Sequence, residues 1–167
     1  MSAGLGAGCA TIGLALLSAP SSMAGSSCAN AGSDIGSLSK GEARTAIICL
    51  FNNARSAQDL KQNGDLQKVA QKHSDTMRSE NCFSHDCPGE PGLKNRIKNT
   101  GYFNGAGQAG EIIAFGSDNA SPRDFVAEWL NSNAHRGQIQ KPAYRDVGVG
   151  VNVQGGDTLL TAVFGRS

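Results

Sequence analysis

The sequence predicts an α+β domain whose sheet is covered by helices. Three observations carry this: helical apolar spacing between residues 43 and 77, a capped helix around Trp129, and a closing hairpin with alternating valines. Helices first, then a short strand, a helix and a hairpin is the order of a domain in which the two kinds of element segregate.

The first helix opens at "SKGE", where Ser39 stands three residues before Glu42 as a capping box. Behind it Ala43, Ala46, Ile47, Leu50, Phe51 and Ala54 keep helical spacing. "QNGD" at 62–65 interrupts, and Asp65 is read as the cap of a second helix. The apolar face of that helix is Leu66, Val69, Ala70 and Met77, and His73 falls on it, seven residues from Leu66. "GEPGLKNRIKN", 89–99, predicts a short third helix ending at Gly101. "GEIIAFG", 110–116, is a short apolar run bounded by glycine and reads as a strand. "SPRD" at 121–124 gives a Ser cap, Pro at the first helical position and Asp in the first turn. The helix behind it carries Phe125, Val126, Trp129 and Leu130 on one face. Val147, Val149, Val151 and Val153 have strand period, "QGGD" turns the chain, and "TLLTAVFG" returns antiparallel.

The 167 residues divide unevenly. "LGAGCATIGLALLSAP" is small, apolar and uncharged, and "SSMA" follows with the small-residue spacing that a signal peptidase reads. Residues 1–24 are therefore expected to be a signal peptide, although they contain no Lys or Arg, with an N-terminal arm at 25–38 and the domain at 39–167. The leader is too short and Gly-rich for a membrane span, and no transmembrane segment is expected in the mature chain. A net charge of +1 with no run of Lys or Arg offers no electrostatic nucleic-acid surface.

Four cysteines remain once the leader is removed: Cys28, Cys49, Cys82 and Cys87. An even number in an exported chain indicates disulfides, and four allow three pairings. The four-residue gap between Cys82 and Cys87 closes easily through a turn, which leaves Cys28 and Cys49 to tie the arm to the first helix. A secreted or extracytoplasmic location is expected.

The candidate chemistry lies in three histidines and one acid. His73 is either a core histidine or one that borders a cleft. His85 lies in "NCFSHDC", where Cys82, His85 and Cys87 could alternatively be zinc ligands, with no second cysteine pair to complete a tetrahedron. His135 follows the Trp129 helix in "NSNAHRGQI", with Asn133 as a possible cap. Glu111 sits inside an apolar run, where an unpaired charge is costly, so it requires a partner; a histidine is a candidate.

The fragments "LFNNAR", "VAQKHSDTM", "CFSH", "GYF" with "GEIIA", "WLNSNAHRGQI", and "YRDVGVGV" with "FG" occur in an order that resembles the bacterial branch of the CAP superfamily (cysteine-rich secretory, antigen 5 and pathogenesis-related proteins, or SCP-like domains), over about residues 39–165. The resemblance implies a three-layer α-β-α sandwich with a central, largely antiparallel sheet. It also implies a cleft lined by two histidines and two glutamates. His85 resembles the first histidine, Glu111 the first glutamate and His135 the second histidine. The second glutamate is missing, with Ser132 near its place, and Ile112 replaces the asparagine of the family's "GEN". His73, Ser132 and Trp129 are expected to line the same cleft.

On this resemblance His85, Glu111 and His135 would form an open site for Zn2+ or another divalent cation, with water as fourth ligand. A Cys82–Cys87 bridge would present the His85 ring. The function implied is a monomeric binding module for a lipid, glycan or protein ligand. One alternative is a peptide or ester hydrolase with Glu111, His85 and His135 as catalytic groups, although Glu111 cannot be both base and metal ligand. Ser84 and Ser132 lie near histidines, but neither is in a "GxSxG" elbow. A purely structural His/Glu network is the other alternative.

Overall fold

The alternation "VGVGVNV" does more than mark a strand. In the computed structural model, which describes residues 27–103 and 107–167, it forms β3 (Asp146–Gln154) at the centre of the molecule. The expected signal peptide lies outside the described residues. β3 pairs antiparallel with β4 (Asp157–Arg166) through Gly155 and Gly156, both at positive φ, as a two-residue hairpin turn of this hand requires. β2 (Gln108–Ser117) pairs antiparallel with β4 along all ten of its residues. A short strand that the sequence pattern did not reveal, β1 (Lys61–Gln62), joins β3 in parallel, so the order is β1-β3-β4-β2. The sheet is thus mixed but largely antiparallel, and helices cover both faces.

On one face Val147, Val149 and Val151 meet α1 (Lys40–Ala54), α4 (Pro122–Asn131) and α5 (Asn133–Ile139). Phe51, Trp129, Tyr144 and Phe164 fill this core, each at most 1% exposed. The Phe51 ring lies 5.7 Å from Trp129 and 5.6 Å from Phe164. Burial of each such side chain contributes roughly 1.5–3 kcal/mol.

The glycines of β3 face the opposite way. There α2 (Gly64–Ser79) approaches so closely that a Cβ on Gly150 would stand 2.1 Å from the Ala70 carbonyl oxygen. Leu66, Val69 and Ala70 pack on Val163 of β4, and α3 (Leu93–Lys98) adds Ile97 to the same cluster. Ser74 Oγ donates to Thr161 Oγ1 at 2.9 Å, so this buried hydroxyl pair is satisfied.

The caps follow local rules with two differences. Ser39 and Ser121 make the reciprocal capping boxes that the sequence predicts. α2, however, is capped by Asn63, which accepts from the backbone N–H groups of Asp65 and Leu66. Asp65 lies instead in the first turn, where its charge complements the helix dipole and pairs with Lys68 at 3.0 Å. α5 is likewise capped by Ser132, not Asn133. Both expected disulfides, Cys28–Cys49 and Cys82–Cys87, are formed.

β1 covers only the first two residues of β3. Beyond them side chains serve the open margin. Arg44 Nε donates to the Val149 carbonyl, and the Gln71 amide both accepts from the Val151 N–H and donates to the Val151 carbonyl.

Candidate functional site

Glu111 lies on β2 between Gly110 and Ile112, and strand alternation sets the side chains of these two neighbours toward the α4–α5 layer. Glu111 therefore points the other way, toward α2, where its side chain is 2% exposed. A carboxylate this deep requires cationic or hydrogen-bonding partners. It has three.

His85 Nδ1 lies 2.9 Å from Glu111 Oε1. Arg96, carried by α3, faces both oxygens: Nη2 donates to Oε1 at 3.1 Å, and Nη1 lies 3.1 Å from Oε2 as an ion pair without a hydrogen bond. His73 Nε2 faces Oε1 at 3.8 Å. A second buried carboxylate, Glu90, closes the network: its Oε2 lies 2.6 Å from His73 Nδ1 and its Oε1 lies 3.8 Å from Arg96 Nη1. His73, Glu90, Arg96 and Glu111 are all at least 95% buried, whereas the His85 side chain is 52% exposed.

Local structure holds His85 at this mouth. α2 ends with Asn81 in the left-handed region, and the Cys82 N–H returns to the Met77 carbonyl. The Cys82–Cys87 bridge then closes the loop, and Arg96 Nη2 donates to the His85 carbonyl at 3.0 Å. One guanidinium thus fixes both the backbone of His85 and the carboxylate that its ring meets. Above it opens a cleft of about 460 Å³, lined by His85, Asp86, Glu111 and the 92–95 stretch.

The hydrogen bond to Glu111 raises the His85 pKa above its ordinary value, against the opposing effect of burial. Burial alone would push Glu111 up; the His85 hydrogen bond and the charge of Arg96 outweigh it and hold the carboxyl below its usual range. The pair is accordingly biased toward imidazolium and carboxylate.

Of the expected site residues, the structure brings together His85, Glu111 and His73. His135 is not joined to them. It lies on α5, which packs on the opposite face of the sheet, where Ile139 joins Ile112 in the core and Gln138 and Tyr144 close over Gly110. Among the described residues no hydrogen bond or ion pair joins His135 to His85 or Glu111. Ser132 accepts from the His135 backbone N–H as a helix cap. Trp129 is buried, its Nε1 donating to the Ile113 carbonyl. Ser84 Oγ accepts from the Asp86 N–H, and neither Ser84 nor Ser132 bonds an imidazole.

Glu90 and Arg96 were not singled out by the sequence pattern. Arg96 lies beside Ile97 in a short helix and resembles a surface residue until Glu111 needs a counter-charge. As arranged, these residues do not fit the expected three-ligand zinc centre. Arg96 faces both oxygens of Glu111, and among the described residues no hydrogen bond or ion pair brings His135 to them. Among the described residues no group of three or more His, Cys, Asp or Glu side chains is arranged to hold a metal ion.

Comparisons with known proteins agree with this architecture. The Bacillus subtilis protein YkwD is 33% identical over 107 residues, covering 62% of this chain and 40% of that protein. The Bacillus subtilis membrane protein YlbC is 36% identical over 85 residues, covering 51% of this chain and 23% of its own length. The chain thus spans less than half of either relative. An extracellular SCP-domain protein of Bacillus anthracis superposes with a TM-score of 0.63 at 28% identity, over 78% of this chain and 44% of that one. An outer surface protein of Borrelia burgdorferi superposes at 0.68 and 18% identity, over 77% and 96%, which speaks for the fold alone. The model of the cysteine-rich secretory protein family, CAP, matches residues 42–164, and the chain belongs to that family.

Proposed function

We propose that this CAP domain is an extracytoplasmic binding module whose ligand, a lipid, glycan or protein, is gripped at the cleft over His85. The supporting observation is the double engagement of Glu111 by Arg96. A carboxylate neutralised on both oxygens, with its proton affinity lowered, orients the His85 ring well but is a poor general base. His85 is the one imidazole of the network presented to the cleft, where it donates from a fixed direction. The two disulfides and the extracellular Bacillus anthracis relative support a location outside the cytoplasm. No helix of the described residues is long and apolar enough to cross a membrane. The domain is taken to act as a monomer.

The test is a panel of glycans, lipid vesicles and peptides assayed for capture and for turnover. Capture that is lost in His85→Ala supports the binding module. Hydrolysis of a peptide or ester that disappears in Glu111→Gln overturns it in favour of a hydrolase. Zinc titration of tag-free protein addresses the cation separately: stoichiometric zinc lost in His85→Ala would require Arg96 to release Glu111.

A further inference from the structure

We propose that a second pocket, sharing no lining residue with the His85 cleft, binds a small carboxylate carrying an adjacent N–H or ammonium donor. That chemistry belongs to a free α-amino acid or to the C-terminal residue of a peptide. The pocket has a volume of about 180 Å³, below the range of drug-sized sites and suited to a ligand the size of one small residue. Its inner wall is formed by Glu90 and Arg96, and its rim by Lys68, Lys72 and Asn99.

Of the buried atoms in this network without a hydrogen-bond partner, which include Arg96 Nη1, Glu111 Oε2 and His73 Nε2, two of opposite polarity belong to residues that line the pocket: the donor Arg96 Nε and the acceptor Glu90 Oε1, which is 3.8 Å from Arg96 Nη1. The side chains that carry them are 5% and 4% exposed. Buried polar groups are nearly always hydrogen-bonded, so an unmatched donor and acceptor on two residues lining one pocket favour a ligand that offers both complements. The remaining charges decide the arrangement. Arg96 and Lys72 favour an anionic group, while Lys68 is partly engaged by Asp65 at 3.0 Å. Glu90 repels a bare anion and favours a donor beside it. A carboxylate on Arg96 and Lys72 with its amino group on Glu90 meets both demands. A phosphate dianion has no donor to offer. Val69 and Pro91 give an apolar surface for a short side chain.

The two pockets share no lining residue, so ligand binding at either can fail alone, although Arg96 also holds the His85 backbone. The test is amide chemical-shift titration of the full chain with L-alanine, propionate, ethylamine and the dipeptide alanyl-alanine. L-Alanine should shift the amides around Lys72, Arg96 and Asn99, with propionate and ethylamine at least tenfold weaker. Lys72→Glu changes an exposed side chain and should weaken alanine at least fivefold, whereas Lys40→Glu, the same charge change on α1, should not. Dipeptide binding as tight as alanine supports the peptide-terminus source, and much weaker binding supports the free amino acid. The proposal is overturned if no probe shifts these amides, if propionate binds as well as alanine, or if Lys72→Glu leaves alanine binding unchanged.

Discussion

Replacing Arg96 by methionine keeps most of the apolar stem and removes the charge that two buried carboxylates share. Its guanidinium stands 3.1 Å from both oxygens of Glu111 and 3.8 Å from Glu90, in surroundings where all three side chains are at least 95% buried. Removing one partner of a buried ion pair costs roughly 3–5 kcal/mol, because the other charge remains behind in a poor solvent. For a domain of this size that corresponds to a fall in Tm of roughly 10–15 °C.

The pH dependence provides a sign as well as a size. In the wild type the Glu111 pKa is depressed, so its contribution is present above the unfolded value of about 4.5 and is lost as pH falls through the folded value. In Arg96→Met the guanidinium no longer opposes burial, and the Glu111 pKa rises. The variant's deficit should then be greatest near neutrality and shrink as pH falls and the carboxyl protonates. Urea denaturation of both proteins at pH 7 and pH 5 measures this directly. A loss under about 1 kcal/mol at pH 7, or a deficit that does not shrink at pH 5, would refute a charge-based role for Arg96.

Three further outcomes are expected. The His85 pKa, followed by imidazole NMR, should lie above its ordinary 6.5 and fall in Glu111→Gln; the stabilising bond is complete below about pH 6.5 and fades as pH rises through the folded value, so a wild-type value at or below 6.5 contradicts the geometry. Gly150→Ala should destabilise by about 3 kcal/mol or prevent folding, because its Cβ meets the α2 backbone, which has little freedom to yield; a loss below 1 kcal/mol would mean that α2 can move off the sheet. Loop-closure entropy predicts that Cys28→Ser with Cys49→Ser costs about 3 kcal/mol and Cys82→Ser with Cys87→Ser about 2 kcal/mol, the 21-residue separation outweighing the 5-residue one; denaturant unfolding that reverses this order would contradict the chain-entropy account.

The helices and the hairpin were legible because their signals are local: a capping box at Ser39, Pro122 at a first helical turn, and valines at alternate positions. β1 was not, since two residues in a polar stretch have no periodicity and exist as a strand only through their partners on β3. The valines of β3 are legible from their period, whereas its glycines are not, because their purpose, admitting the α2 backbone, belongs to packing between layers. The site divides in the same way. That Glu111 needs a partner followed from a charge inside an apolar run, and His85 could be named from its motif. Arg96 and Glu90 could not, because whether a charged residue faces inward depends on how a six-residue helix is docked.

The margin of β3 beyond β1 has a consequence for the molecule's life in a crowd. An open strand is a template for recruiting another, and here the amide of Gln71 already occupies the two contacts that an intruding chain would seek at Val151. Any polymerisation along this flank must first evict that side chain, and Asp75, bonded to Gln71 and Asn152, holds it in its post. One glutamine thereby blocks strand addition at Val151.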